Sequence, residues 1–184
     1  ALENAQLFEQ QKELYKEQKV LFESFIDTLA TSIDARDKIT AGHSSRVKLY
    51  SMLIVDALDC DEKFKEIVEK AAILHDIGKI GIRDSVLQKE GKLTDEEYKH
   101  IQEHVKITHD ILEKIHTSED FKQITEIACS HHEKFDGSGY YRHLSGENIP
   151  YGGRILAVAD VFDAITSKRH YRDKMPIQNV IDIL

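Results

Sequence analysis

Apolar residues recur at helical spacing along nearly the whole chain, and the first stretch has the most regular pattern. A leucine recurs every seven residues with a second apolar position beside it: Leu7, Leu14, Leu21, then Phe8, Tyr15, Phe22 and Leu29. Such a repeat is typical of a helix that pairs with another helix. We therefore predict one long helix over residues 1–35, a signalling linker from an upstream sensor that forms a homodimer. The alternative is a helix that packs only on its own domain.

Further along this helix the apolar stripe widens, which predicts docking onto the rest of the chain through Phe25, Ile26, Leu29, Ala30 and Ile33. Helical spacing then predicts helices over residues 46–58, 62–80, 94–104, 107–116, 119–131 and 154–167. Thr94 and Glu97 have the spacing of a capping box. Five of the nine glycines and Pro150 lie in residues 134–153, which predicts one long functional loop. No convincing strand pattern occurs, so the fold class is all-α.

Composition narrows the class of protein. The chain has 41% hydrophobic and 32% charged residues, with no apolar run of 18 residues and no signal-peptide pattern. Two isolated cysteines, Cys60 and Cys129, suggest reduced thiols in a cytoplasmic protein. A net charge of −8 argues against duplex nucleic acid as a partner, and we expect no membrane contact for this part of the protein. The chain starts without methionine and stops within an apolar helical pattern, so we expect a fragment of a longer protein.

Histidine is the unusual residue, with ten in one domain, and it is the commonest metal ligand. His75 and Asp76 interrupt an apolar helix face, where buried polar groups are costly unless they are paired or bind metal. A satisfied core pair is the alternative. Similar interruptions occur at His43, at His100 and His104, at His131 and His132, and at Asp160. Nitrogen and oxygen donors without sulfur suit iron, manganese or zinc in a hydrolytic site, so we predict a multinuclear centre that hydrolyses a phosphodiester.

These residues resemble the HD-GYP branch of the HD-domain phosphohydrolases. The matching stretches, in family order, are Gly42-His43-Ser44-Ser45-Arg46-Val47, His75-Asp76-Ile77-Gly78-Lys79, His104, His131-His132-Glu133, Asp136-Gly137-Ser138-Gly139-Tyr140, Ala159-Asp160-Val161-Phe162-Asp163-Ala164, Arg169 and Tyr171-Arg172. The resemblance implies an HD-domain helical bundle over residues 36–184. It also implies these metal ligands: His43, His75, Asp76, His104, His131, His132 and Asp160. His100 then becomes a surface residue.

The resemblance further implies a metal-dependent phosphodiesterase that hydrolyses cyclic di-GMP to linear pGpG, and possibly GMP, through a metal-bridging hydroxide. Asp76 would bridge the metals and Lys79 would bind a phosphate oxygen. Arg169 and Arg172 would grip phosphates, while Tyr140 and Asp163 would contact substrate bases or the residues behind the ligands. The alternatives are a hydrolase of another nucleotide, mixed cyclic dinucleotides included, and a non-catalytic cyclic di-GMP receptor.

The chain departs from the family pattern in three places. Tyr141 follows Gly139-Tyr140 where the family has proline; this loop is thought to touch substrate or partner domains, so a GGDEF-type partner is left open. Val105 and Thr108 replace the proline and glycine usual after His104. Residues 39–41 lack the extra carboxylate of three-metal members, and Asp37 is the nearest. We therefore expect two metal ions rather than three. The resemblance implies that they are iron, with manganese or zinc as alternatives.

Overall fold

Helices form nearly all the regular structure in the computed structural model, which describes residues 2–37, 42–115, 119–167 and 179–180. The α-helices are α1 (Leu2–Asp34), α2 (His43–Ala57), α3 (Glu62–Leu74), α4 (Asp84–Leu87), α5 (Asp95–Leu112), α6 (Glu119–Ala128) and α7 (Tyr151–Thr166). Short 3₁₀ helices span Ile77–Gly81 and Gly146–Asn148. No strand occurs within these ranges. The prediction of an all-α bundle preceded by a long helix is confirmed.

The core lies where α2, α3, α6 and α7 pack together, around fully buried residues such as Val68, Ala71 and Leu156. Small residues let the backbones approach closely. A Cβ atom on Gly152 would lie 2.5 Å from Ile127 Cδ1, so α7 rests directly against α6. A Cβ atom on Gly78 would lie 1.9 Å from the His104 carbonyl oxygen, so the first 3₁₀ helix lies against α5. These contacts hold the segment after α3 against α5 and pack α7 on α6.

The long helix α1 docks through its last turns only. Ile26, Ala30 and Ile33 are buried and Leu29 is partly buried, as predicted. The prediction that Phe25 also docks was wrong, since 58% of this residue is exposed. A helix turns by about 100° per residue, which places Phe25 on a different side from Ile26. No helix in the described ranges is both long and apolar enough to cross a bilayer.

Several helix boundaries differ from the prediction, and the most important is the end of α3. We predicted one helix over 62–80 with His75 and Asp76 inside it; instead α3 ends at Leu74 and a 3₁₀ helix follows Asp76. The Thr108 hydroxyl explains this break: it donates to the His75 carbonyl (3.0 Å) and accepts from the Gly78 amide (3.0 Å). The family glycine at this position could not make either bond.

The break predicted between residues 104 and 107 was also wrong, because α5 is continuous and its capping box is formed as expected. Val105 and Thr108 are fully buried in α5, so the continuous helix is held by tertiary packing. Helix α2 begins at His43 rather than Arg46, and α7 begins at Tyr151, directly after Pro150. Helix α6 ends at Ala128, three residues earlier than predicted, which leaves His131 and His132 just beyond it.

Candidate metal centre

All seven predicted ligands converge on one place, although they come from five helices. They lie at the first residue of α2 (His43), after α3 (His75 and Asp76), in the middle of α5 (His104), after α6 (His131 and His132) and in α7 (Asp160). Most of them lie at or beyond helix ends, where side chains of different helices can meet. The distances between their atoms decide what this cluster can do.

Three of the histidines are oriented in the same way. The Nδ1 atoms of His75, His104 and His131 lie 2.7, 2.6 and 2.6 Å from the backbone carbonyl oxygen three residues earlier. A carbonyl oxygen only accepts hydrogen bonds, so in each ring Nδ1 must carry the proton. With the proton on Nδ1, the neutral form of each ring presents an unprotonated Nε2 to the centre of the cluster. A second ring nitrogen held in this manner is the usual arrangement of metal-binding histidines.

Among the described residues, these Nε2 atoms lie close to one another and to the Asp76 carboxylate, which cannot donate a hydrogen bond. His75 Nε2 is buried and makes no hydrogen bond within the described residues, and the nearest carboxylate oxygen, Asp76 Oδ2, lies 3.4 Å away. His104 Nε2 and His131 Nε2 lie 3.4 Å apart. Burial lowers the pKa of both rings and lowers that of His132 to about 3, so all three are neutral near pH 7. The lone pairs on His104 Nε2 and His131 Nε2 face each other in a buried site, an arrangement that suits a cation bound by both nitrogens.

The donor atoms form three groups whose members lie within 4.8 Å of one another: His104, His131 and His132; His43, His75 and Asp160; and His75, Asp76 and His131. Asp76 lies between the first two groups. Its Oδ1 is 3.4 Å from His104 Nε2, and its Oδ2 is 3.6 Å from His43 Nε2. The residues thus fit metal ions held by nitrogen and oxygen donors, with one carboxylate facing both groups.

Asp76 also forms an ion pair with Lys79, whose Nζ atom lies 2.6 Å from Asp76 Oδ2. Burial alone would raise the pKa of Asp76, but the charge of the Lys79 ammonium outweighs burial and holds that pKa well below its usual range. Burial likewise opposes the charge on Lys79, yet Asp76 and Asp37 raise the pKa of its ammonium group. Asp37 Oδ2 lies 3.6 Å from Lys79 Nζ. Both members of the pair are therefore charged at neutral pH.

His43 is oriented by a carboxylate instead of a carbonyl. Its Nδ1 lies 2.8 Å from Asp163 Oδ2, and Arg46 donates to both Asp163 oxygens at 2.7 and 3.0 Å. Burial would lower the pKa of His43, but Asp160 and Asp163 outweigh it and raise the pKa to about 9. Asp163 is only 2% exposed. Of the two roles predicted for it, this burial argues against contact with substrate bases and favours orientation of His43.

Tyr140 lies beside the cluster, with its ring stacked on His132 at a centroid distance of 4.7 Å. The loop that carries Tyr140 is anchored by Glu133. This residue belongs to the His131-His132-Glu133 motif, but the sequence alone predicted no role for it. The Glu133 carboxylate accepts from the amides of Tyr141 (3.2 Å), Arg142 (2.7 Å) and Leu144 (3.0 Å). Proline, the usual family residue, could not donate as Tyr141 does. An acidic residue next to two ligand histidines was the signal for this role.

A cavity of about 590 Å³ opens above the cluster, a size suited to a small organic ligand. Its walls include three lysines, Lys79, Lys89 and Lys134, together with Tyr98 and Tyr140. The same cavity is also lined by the carboxylates of Asp37, Asp76, Glu133 and Asp160. A ligand with phosphates and bases would suit this opening when metal ions offset those negative charges. Lys89, Lys134 and Tyr98 carry no motif, and only folding reveals their position. Arg169 and Arg172, predicted to bind phosphates, lie outside the described residues.

The chain matches the HD domain family over residues 27–184, and it therefore belongs to that family. The resemblance to the HD-GYP branch is confirmed. The chain is 38% identical to 3′3′-cGAMP-specific phosphodiesterase 3 of Vibrio cholerae over 168 residues, covering 89% of this chain and 36% of that protein. It is 39% identical to a cyclic di-GMP phosphodiesterase of Thermotoga maritima, covering 91% of this chain and 45% of that protein.

A further relative is the cyclic di-GMP phosphodiesterase response regulator of Xanthomonas campestris pv. campestris, 43% identical, with 80% of this chain and 39% of that protein covered. Among solved structures, a cyclic GMP-AMP specific phosphodiesterase of V. cholerae matches with a TM-score of 0.51 and 32% identity, covering 88% of this chain and 35% of that one. The chain thus spans less than half the length of these relatives.

Proposed function

We propose that the chain is the catalytic part of a metal-dependent phosphodiesterase that hydrolyses cyclic di-GMP to linear pGpG, and possibly on to GMP. The observation that carries the proposal is the convergence of unprotonated Nε2 atoms on Asp76, next to Lys79 and at the base of the cavity. The relatives named as cyclic dinucleotide phosphodiesterases support the same reaction class.

The side chains would share the work as follows. The ligands would be His43, His75, Asp76, His104, His131, His132 and Asp160. Metal ions held there would act as Lewis acids on a phosphodiester and lower the pKa of water. Asp76 would bridge the two groups of ligands, and the Lys79 ammonium, which lies beside Asp76 and lines the cavity, would bind a phosphate oxygen. Tyr140 would contact a substrate base from its position against His132.

Two metal ions fit the arrangement best, because Asp76 faces two groups of donors. The nitrogen and oxygen ligands suit iron, and they also suit manganese or zinc. A third metal ion would need a further carboxylate in the cavity. Asp37 lines the cavity, but its carboxylate lies beside the Lys79 ammonium, which competes with a cation for it.

The substrate class is tested by metal-loaded protein prepared anaerobically, because ferrous iron oxidises in air. Cyclic di-GMP, 3′3′-cGAMP, cyclic di-AMP and linear pGpG would be incubated separately and the products separated by chromatography. We expect pGpG from cyclic di-GMP. Preferred turnover of 3′3′-cGAMP would favour the mixed dinucleotide, for which several relatives are named. Full metal occupancy with no product from any substrate would refute catalysis and favour a cyclic di-GMP receptor.

We also propose that α1 pairs with α1 of a second copy. The heptad residues Leu7, Leu14 and Leu21 are 57%, 55% and 71% exposed, whereas Ile26 and Ile33 further along are buried against the domain. An unpartnered apolar stripe of this period suits a parallel coiled coil. The Leu14→Asp variant should lower the mass measured by light scattering from dimer to monomer. An unchanged dimer in that variant would remove α1 from the interface.

A further inference from the structure

Arg36, in the turn after α1, contacts the backbone that carries Lys79. Its Nη1 donates to the carbonyl oxygens of Lys79 (3.2 Å) and Ile80 (3.0 Å), and its Nη2 donates to that of Ile82 (3.1 Å). Nη2 also contacts Asp84 Oδ1 at 2.7 Å. One guanidinium therefore contacts carbonyl groups between residues 79 and 82, where the 3₁₀ helix ends. Only a rigid fork of donors can reach several carbonyl oxygens of one turn together.

The position of this turn matters because its backbone sets the position of Lys79. On the side facing α5, the segment is held by Thr108, which bonds the Gly78 amide. Arg36, from the turn after α1, holds the same segment through its carbonyl groups. Of the three carbonyl groups that Arg36 contacts, that of Lys79 also accepts from the Ile82 amide within the turn at 3.0 Å. Carbonyl groups at a helix end need donors from outside the helix, and the guanidinium supplies such donors to this segment.

The residues next to Arg36 touch the same region. Asp37 Oδ2 lies 3.6 Å from the Lys79 ammonium, and the Arg36 carbonyl accepts from Gln88 Nε2 at 2.9 Å. Two residues earlier, the Asp34 carboxylate accepts from the amide and the hydroxyl of Ser44, at the start of α2. The end of α1 is thus joined to the elements that carry Lys79 and His43.

We propose that Arg36 is a positioning residue for Lys79: its guanidinium holds the Lys79 turn so that the ammonium stays beside Asp76 and the reacting phosphate. The catalytic part of this inference rests on the proposed function. Because Arg36 directly follows the long helix, a shift of α1 along its axis would move the Lys79 turn as well. The rate of hydrolysis would then follow the position of α1.

The first experiment does not depend on activity. Hydrogen exchange would be followed in the peptides that cover residues 76–87, where the Lys79 and Ile82 amides bond within the turn. In Arg36→Ala we expect about tenfold faster exchange there, because a turn with fewer anchors opens more often, and no change in α6. Unchanged exchange in residues 76–87 would overturn the proposal, whether or not the protein hydrolyses a cyclic dinucleotide.

Two control variants distinguish the bonds of Arg36 to backbone carbonyl groups from the effect of losing an ion pair. Asp84→Asn removes only the negative charge that pairs with Arg36. The Asp84 side chain is 65% exposed. Lys19→Gln removes a different contact between α1 and the domain, the ion pair with Glu66 at 3.0 Å. Both should leave exchange and turnover unchanged. Arg36→Lys keeps the charge but loses the fork, so it should behave like Arg36→Ala. Full rescue by lysine would show that charge alone suffices and would refute positioning through the carbonyl groups.

The second experiment uses turnover and a double-mutant cycle. Arg36→Ala should lower kcat about tenfold with KM within about twofold and metal content unchanged, because a mispositioned Lys79 loses contacts made in the transition state. In a Lys79→Ala background the same substitution should have no further effect, since both changes remove one interaction. If the double variant lost kcat by the product of the two single-variant factors, the two residues would act independently and the coupling between Arg36 and Lys79 would be refuted. An inactive wild type would reject the proposed function instead, and exchange would still decide the role of Arg36.

Discussion

His104 and His131 turn their Nε2 atoms toward each other at 3.4 Å, while a backbone carbonyl oxygen binds the proton on the far side of each ring. Two unprotonated nitrogens at this distance repel each other unless a cation lies between them. A metal ion held by both nitrogens would remove this repulsion, so we expect the pair to contribute to metal binding.

Replacing His131 by alanine should remove about one metal ion per chain while the helical fold persists, since the loss of one ligand opens a coordination position. Elemental analysis after reconstitution measures the metal, and circular dichroism measures the helix content. His100→Ala is the matched control, because His100 lies one turn before His104 on α5 but contacts Arg83 and Glu103 instead. Full metal occupancy in His131→Ala would contradict the assignment, and metal loss in His100→Ala would indicate the wrong histidine on α5.

Metal loading should release about one proton near pH 7.5, because a histidine must be neutral to bind a metal ion. In the metal-free protein the pKa of His43 is raised to about 9, so the ring is charged at pH 7.5 and must lose its proton. His132, with a pKa of about 3, is already neutral and releases none. Metal affinity should therefore rise with pH up to about 9 and then level off.

Calorimetry in buffers of different ionisation enthalpy counts this proton. The Asp163→Asn variant removes one of the carboxylates that raise the pKa of His43, so it should release fewer protons at pH 7.5. Proton release that is independent of pH between 7 and 10 would show that His43 does not join a metal ion.

Lys79→Ala should lower kcat about 10²-fold or more, the usual cost of losing a group that offsets charge in a transition state, while the metal stays bound. The ammonium lies 2.6 Å from Asp76 and lines the cavity, so it can reach a phosphate. Steady-state kinetics and elemental analysis on one preparation would measure both effects. Lys106→Ala is a suitable control, since Lys106 pairs with Asp110 at the surface. Unchanged kcat in Lys79→Ala would exclude this role.

Thr108→Val should destabilise the fold by about 1–3 kcal/mol, since it leaves a buried donor and a buried acceptor without partners. The Thr108 hydroxyl bonds the His75 carbonyl and the Gly78 amide. These two bonds stabilise the turn between α3 and the 3₁₀ helix, which contains Asp76. Urea unfolding measures the change. Thr108→Ser keeps the hydroxyl and should retain most of the stability. Equal stabilities for the valine and serine variants would mean that packing, rather than these hydrogen bonds, shapes the turn.

The candidate metal ligands could be chosen without the fold, because metal binding demands specific side-chain types. A histidine or aspartate within an apolar helical pattern is conspicuous, as at His75 and Asp160, and the structure brings all seven such residues together. The all-α class could also be predicted from the sequence, since helical periodicity depends only on residues three or four positions apart. Both kinds of signal are local.

Other features arise only from contacts between residues far apart in the chain. Periodicity predicted that α3 runs through Lys79, but Thr108 ends it at Leu74, and a hydroxyl 33 residues from His75 leaves no local signal. The reach of Arg36 to the Lys79 turn, 43 residues away, is likewise visible only after packing. Local sequence patterns were enough to predict an all-helical domain and its candidate metal ligands. Which lone pairs of those ligands face one another depends on the packing of the helices, because packing sets the burial and orientation of each side chain.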